Sequence, residues 1–161
     1  MAVFNVHERL LAAKASEVGA LIDTLAAGPA DRLWPGTAWP EMRLDRGLTV
    51  GAAGGHGPVG YTITAYVPGT WIRFTFTRPR GFHGFHEFAV LPVDEGRTVL
   101  RHTLAMRATG PALLTWPLAY RPLHDALLED SLDRAELACT GTLAHRARWT
   151  PYVRLLHALR R

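Results

Sequence analysis

An α+β fold, a curved antiparallel sheet wrapped around a long C-terminal helix, is what the sequence predicts. Three observations carry it. Apolar residues alternate at period two through most of residues 43–108, the spacing of half-buried strands. The breaks in that run are short and rich in Gly and Pro, so successive strands are antiparallel neighbours. At Gly110-Pro111 the spacing changes to that of a helix and holds to Cys139. Sheet and helix each carry one apolar face, and each buries it against the other.

Residues 3–13, VFNVHERLLAA, read as the first strand. Ser16 then stands before EVGALIDTLA, where Val18, Leu21, Ile22 and Leu25 recur at helical spacing behind an N-cap residue. Gly28 and Pro29 end this helix. ADRLWPGTAWPEM follows as a short helical turn and an irregular loop, whose Trp34 and Trp39 are expected to pack on the body. Strands are expected at residues 43–52, 59–67, 70–77, 82–93 and 98–108. The long helix has Leu113, Trp116, Tyr120, Leu123, Leu127, Leu128, Leu132 and Ala135 on one face, with Asp130, Asp133, Arg134 and Glu136 turned away. Pro117 and Pro122 interrupt its first half, which leaves 123–138 as its regular part. Behind Pro151, Tyr152, Val153, Leu155, Leu156 and Leu159 make a short amphipathic pattern.

A chain of 161 residues, 48% hydrophobic and 20% charged, is one domain able to bury its own core. We place that domain at residues 1–141, with a tail at 142–161. A single cysteine, Cys139, forms no internal disulfide, so a cytoplasmic address is expected. Charged residues interrupt the N-terminal stretch where a signal core would be apolar, and no run reaches the ~20 residues of a spanning helix. The net charge of +4 is unevenly placed: the tail holds five arginines and no acid, while the rest holds thirteen basic and fourteen acidic groups. No basic groove for a nucleic acid is therefore expected. The tail is too short to hold a helix alone in water. It is expected to dock on its own domain or on a second copy in a homodimer, with contact to an anionic membrane surface as the competing reading.

The opening VFNVHERLLAAKASEVGALIDTL, the hairpin FHEFAVLPVDEGRTVLRHTLAM and the closing WPLAYRPLHDALLEDSLDRAE resemble, in layout and patterning, the SRPBCC superfamily. This is the START-like or helix-grip group, which includes the birch-pollen allergen type and polyketide cyclase/dehydrase-type proteins. The resemblance implies an apolar cavity between sheet and helix that receives lipids, sterols, polyketides or other hydrophobic molecules. Some members do chemistry there and many only bind.

Within that frame, period-two arithmetic selects candidates. Even positions point inward in 70–77 (Ile72, Phe74, Phe76) and in 98–108 (Leu100, His102, Leu104, Met106). The hairpin pattern of the resembled family puts His86 and Phe88 inside as well. His86 and His102 are the candidate catalytic residues, since imidazoles titrate near neutral pH; the competing reading makes them hydrogen-bonded wall residues. Tyr61, Phe74, Phe76, Phe88, Leu104, Trp116, Tyr120 and His124 are the candidate ligand-binding residues. No metal and no cofactor are expected. His83 and His86 lie three apart in a strand and point to opposite faces. Gly51, Gly54, Gly55 and Gly57 lack the lysine and helix of a phosphate loop, and no nucleophile elbow is present. The expected function is binding of a hydrophobic small molecule, a lipid, polyketide or aromatic metabolite. The alternative is a polyketide cyclase/aromatase or dehydratase using a cavity His or Tyr as general acid/base.

Overall fold

The computed structural model describes residues 1–159. Strand β1 (Ala2–Leu11) leads into helix α1 (Ala15–Ile22), a short 3₁₀ turn (Gly28–Ala30) and the tryptophan loop. Strands β2 (Arg43–Leu44), β3 (Ala53–His56), β4 (Val59–Val67), β5 (Trp71–Arg78), β6 (Phe82–Pro92) and β7 (Thr98–Ala108) follow, then α2 (Ala112–Thr115), α3 (Arg121–Thr140) and α4 (Pro151–Leu159). The seven strands form one sheet in the order β1-β7-β6-β5-β4-β3-β2, antiparallel at every pairing. Helix α3 packs on it in the START-like helix-grip arrangement.

Pairing register aligns the inward residues in rows. His7 lies opposite His102, which lies opposite Phe88, which lies opposite Ile72. In the next row Asn5, Leu104, His86 and Phe74 are successive partners. The even positions of β5, β6 and β7 are buried apart from half-buried Phe76 and Gly84 and the exposed strand ends Arg78 and Pro92, and buried Thr98 donates to the Ala13 carbonyl. Leu127, Leu128, Leu132 and Ala135 of α3 meet this face, together with Val18, Leu21 and Ile22 of α1.

Four local expectations need correction. The strand expected at 43–52 is only β2, because Asp45 turns the chain by accepting the Ala53 N–H at 2.9 Å and Arg46 donates to the Gly51 carbonyl. The pairing strand β3 comes instead from the Gly-rich stretch read as a turn. A Cβ at Gly54 would meet the Arg43 carbonyl oxygen at 1.9 Å, so glycine is what lets β2 and β3 close up. Helix α1 starts ahead of Ser16, because the Glu17 carboxylate accepts the Lys14 N–H at 2.9 Å and satisfies that helix end. The first strand stops at Leu11 rather than 13. Finally, Asp133 and Glu136 do not face away: Arg9 donates to both, at 3.1 and 2.6 Å. Between Val3 and Leu11, the inward positions of β1 are Asn5, His7 and Arg9, so α3 lays an acidic edge along this strand.

Pro117 produces a π-type turn at Trp116–Tyr120, Pro122 sits harmlessly in the first turn of α3, and Gly141 ends α3 in the left-handed conformation at φ 75°. The tail docks on its own domain. Val153 and His157 are buried, and the His157 Nε2–H donates to the Ala38 carbonyl at 2.7 Å. The expected apolar stripe is thus displaced: Leu155 and Leu159 are exposed, and the half-exposed Tyr152 donates its hydroxyl to the Leu118 carbonyl. Arg160 and Arg161 of the expected basic tail lie outside the described residues. Among the described residues no helix is long and apolar enough to cross a membrane.

Candidate functional site

Three walls meet around a cavity of about 80 Å³. The sheet supplies Phe76, Phe82, His86, His102 and Leu104, and the helical side supplies Trp116, Tyr120, Leu123, His124, Leu127 and Leu128. Loops and hairpin close the third side with Trp34, Trp39, Pro40, His56, Pro58 and Val59.

Hydrogen bonds fix the loop wall. The buried Asp31 carboxylate accepts the backbone N–H groups of Ala26, Leu33 and Trp34, and Ser131 of α3 donates to the Leu33 carbonyl. The Trp34 indole donates to the Pro40 carbonyl at 2.9 Å. Asp130 of α3 accepts the indole N–H of Trp39 at 2.7 Å and that of Trp149 at 2.9 Å. One carboxylate therefore ties the tryptophan loop and the tail to the long helix.

Inside, the imidazoles are held by rings. His86 stacks on Phe74 and Phe76, with ring centres 4.9 and 5.1 Å apart, and Tyr61 meets its edge at 5.0 Å. His102 meets Phe88 edge-on at 4.8 Å and approaches His124 at 5.1 Å. His86 Nδ1 and His102 Nε2 are 3.2 Å apart. One of these nitrogens must carry the proton and the other accept it, so the two neutral rings share one tautomer, both Nδ1–H or both Nε2–H. Their outer nitrogens, His86 Nε2 and His102 Nδ1, are then one acceptor and one donor. Both are buried and without a partner among the described residues, as are both ring nitrogens of His124.

Burial above all, with the neighbouring histidines, pushes His86 and His102 well below the ordinary imidazole value, and burial lowers His124 as well. All three are neutral at pH 7. Burial raises the Tyr120 phenol, which stays protonated.

Of the residues singled out in the sequence, His86, His102, Phe76, Leu104, Trp116, Tyr120 and His124 meet in this cavity. Tyr61, Phe74 and Phe88 do not line it. They form the layer behind, because the main core under α1 absorbs their rings, and the Tyr61 hydroxyl lies 3.2 Å from His56 Nδ1. The sequence reading missed Phe82, His56 and the helical leucines 123, 127 and 128 as wall residues. Phe82 shares the even phase that selected His86, which was the available signal.

A second cluster lies beside the cavity, where β1 meets α3. His7 Nε2 is 3.0 Å from Asp125 Oδ1, and His7 Nδ1 is 2.8 Å from Glu129 Oε1. Burial works against a charged His7, yet its bonds to Asp125 and Glu129 outweigh that and raise its pKa. His7, His124 and Asp125 bring three potential metal-ligand atoms within 4.8 Å of one another, a convergence invisible in the histidine spacings because the fold assembles it.

No protein-family model and no curated protein sequence matches the chain. Solved structures do match in fold. CalU16 from Micromonospora echinospora is 14% identical with a TM-score of 0.62, over 99% of this chain and 84% of that one. Norcoclaurine synthase from Thalictrum flavum, in complex with dopamine and hydroxybenzaldehyde, is 14% identical with a TM-score of 0.61, over 84% and 85%. A START superfamily protein from Mycobacterium smegmatis is 15% identical with a TM-score of 0.55, over 83% and 94%.

Proposed function

We propose that this helix-grip chain binds a compact hydrophobic molecule, an aromatic metabolite with a hydrogen-bonding group, in the cavity between sheet and α3. One observation carries the reading: an otherwise apolar, indole-rich cavity is lined by three neutral imidazoles, four of whose buried nitrogens lack a hydrogen-bond partner among the described residues. Leaving such atoms unsatisfied costs about 1–3 kcal/mol each. A ligand offering both a donor and an acceptor recovers that cost on the His86–His102 pair. Size argues in the same direction. A cavity of about 80 Å³ falls below the roughly 300–1,000 Å³ of drug-sized sites, which favours one aromatic ring over a lipid chain or a polyketide. The phenolic molecules in the norcoclaurine synthase complex are of this compact kind.

The cyclase or dehydratase reading rests on the His86–His102 contact. Imidazoles held neutral so far below their usual pKa are poor general acids at pH 7, and this favours binding.

Calorimetric titration with hydroxybenzaldehyde, and with palmitate as the lipid probe, tests the proposal. Hydroxybenzaldehyde is expected to bind one per chain, and His102→Leu to weaken it about tenfold, the loss of one buried hydrogen bond. Tighter binding of palmitate, or unchanged affinity in His102→Leu, would overturn it.

A further inference from the structure

We propose that His7, His124 and Asp125 form a binding site for one divalent transition-metal ion of the zinc class. The inference stands apart from the cavity ligand and needs none. Two imidazoles and a carboxylate are a donor set for such an ion, with bonds of about 2.0–2.2 Å that place tetrahedral ligand atoms about 3.3 Å apart. The separations here bracket that value: His7 Nε2 lies 3.0 Å and His124 Nδ1 lies 3.6 Å from Asp125 Oδ1.

Two further features point to a ligand. His124 is wedged among His102, Trp116 and His7 with both ring nitrogens buried and without a hydrogen-bond partner among the described residues. At 3.6 Å, its Nδ1 is beyond hydrogen-bond reach of the neighbouring carboxylate. A cation between the two would engage both. His7 is also oriented as a ligand: its other nitrogen, Nδ1, donates to Glu129 Oε1 at 2.8 Å, and Arg9 holds the second Glu129 oxygen at 3.1 Å. A carboxylate behind a ligating imidazole fixes its tautomer and ring plane. Asp125 Oδ1 also accepts from Asn5 Nδ2 at 3.0 Å, and Arg121 lies 3.7 Å from Oδ2; these contacts hold the carboxylate in place. Because His124 also lines the cavity, the ion would sit in its wall.

An untagged chain, stripped with a chelator and dialysed, is titrated with zinc chloride by calorimetry and with cobalt chloride by visible spectroscopy. One ion per chain is expected, with the d–d bands of a low-coordinate cobalt site. His7→Gln and Asp125→Asn should each weaken binding at least tenfold, and Glu129→Gln about tenfold. His83→Gln and His145→Gln, at exposed positions, should leave it unchanged. Thermal melting establishes that each variant is folded. Independently of any variant, zinc should move the imidazole nitrogen resonances of His7 and His124 in the wild-type chain before those of His83 and His145. Absence of stoichiometric binding, binding that survives both His7→Gln and Asp125→Asn, or shifts confined to other histidines would overturn the proposal.

Discussion

Phe74→Ala is expected to lower the free energy of unfolding by about 3–5 kcal/mol, the cost of removing a fully packed aromatic ring. Phe74 is 0% exposed. It stacks on His86, meets Tyr61 edge-on at 5.0 Å and sits behind the cavity wall, so nothing already empty absorbs the truncation. Phe76, two residues along the same strand, lines the cavity, and Phe76→Ala should cost clearly less. Urea unfolding of the pair measures the contrast. A loss under about 1 kcal/mol at Phe74 would show that the layer behind the cavity is not packed as described.

Acidification should destabilise the fold steeply. His86 and His102 are buried neutral with values well below 6.5, whereas in the unfolded chain each takes up a proton near pH 6.5. Unfolding then binds protons, so the stability is complete above pH 6.5 and is lost as pH falls below it. The loss should therefore deepen continuously as the pH falls below 6.5, with a slope of up to about 1.4 kcal/mol per pH unit for each histidine that stays neutral in the fold. His7 has the opposite sign. Its pKa is raised, so its contribution is full below pH 6.5 and fades as pH rises through the raised value. Urea midpoints across pH 4.5–8 follow both effects. The double variant His86→Phe/His102→Leu should flatten the acid limb, and a limb unchanged in that variant would assign the loss to other groups.

Much of the sheet was legible because period two reports faces directly. Phe74, His86, Phe88, His102 and Leu104 all lie on the inner face, as their phase requires. Strand β1 defied the same logic for a physical reason. Its apolar residues Phe4 and Val6 face outward, 76% and 39% exposed, while Asn5, His7 and Arg9 face α3. Hydrophobicity alone cannot find that arrangement, because the inward polar residues donate to Asp125, Glu129, Asp133 and Glu136, more than a hundred residues away. Strand β3 was hidden differently: Ala53–His56 holds two glycines, which leave no side-chain pattern to read. The cavity residues on the sheet and α3 could be named from phase and helical angle. The loop wall of Trp34, Trp39 and Pro40 depends on Asp31 and Asp130 as hydrogen-bond hubs, which no local pattern announces.

The central claim, that neutral imidazoles in an apolar cavity hold a compact aromatic ligand, is tested most directly by the side-chain nitrogen resonances of the eight histidines during titration with hydroxybenzaldehyde. Our account predicts that His86, His102 and His124 move together along one saturable curve and remain neutral at pH 7, while exposed His83 and His145 stay still. Shifts confined to the exposed histidines, or none during saturable binding, would contradict it.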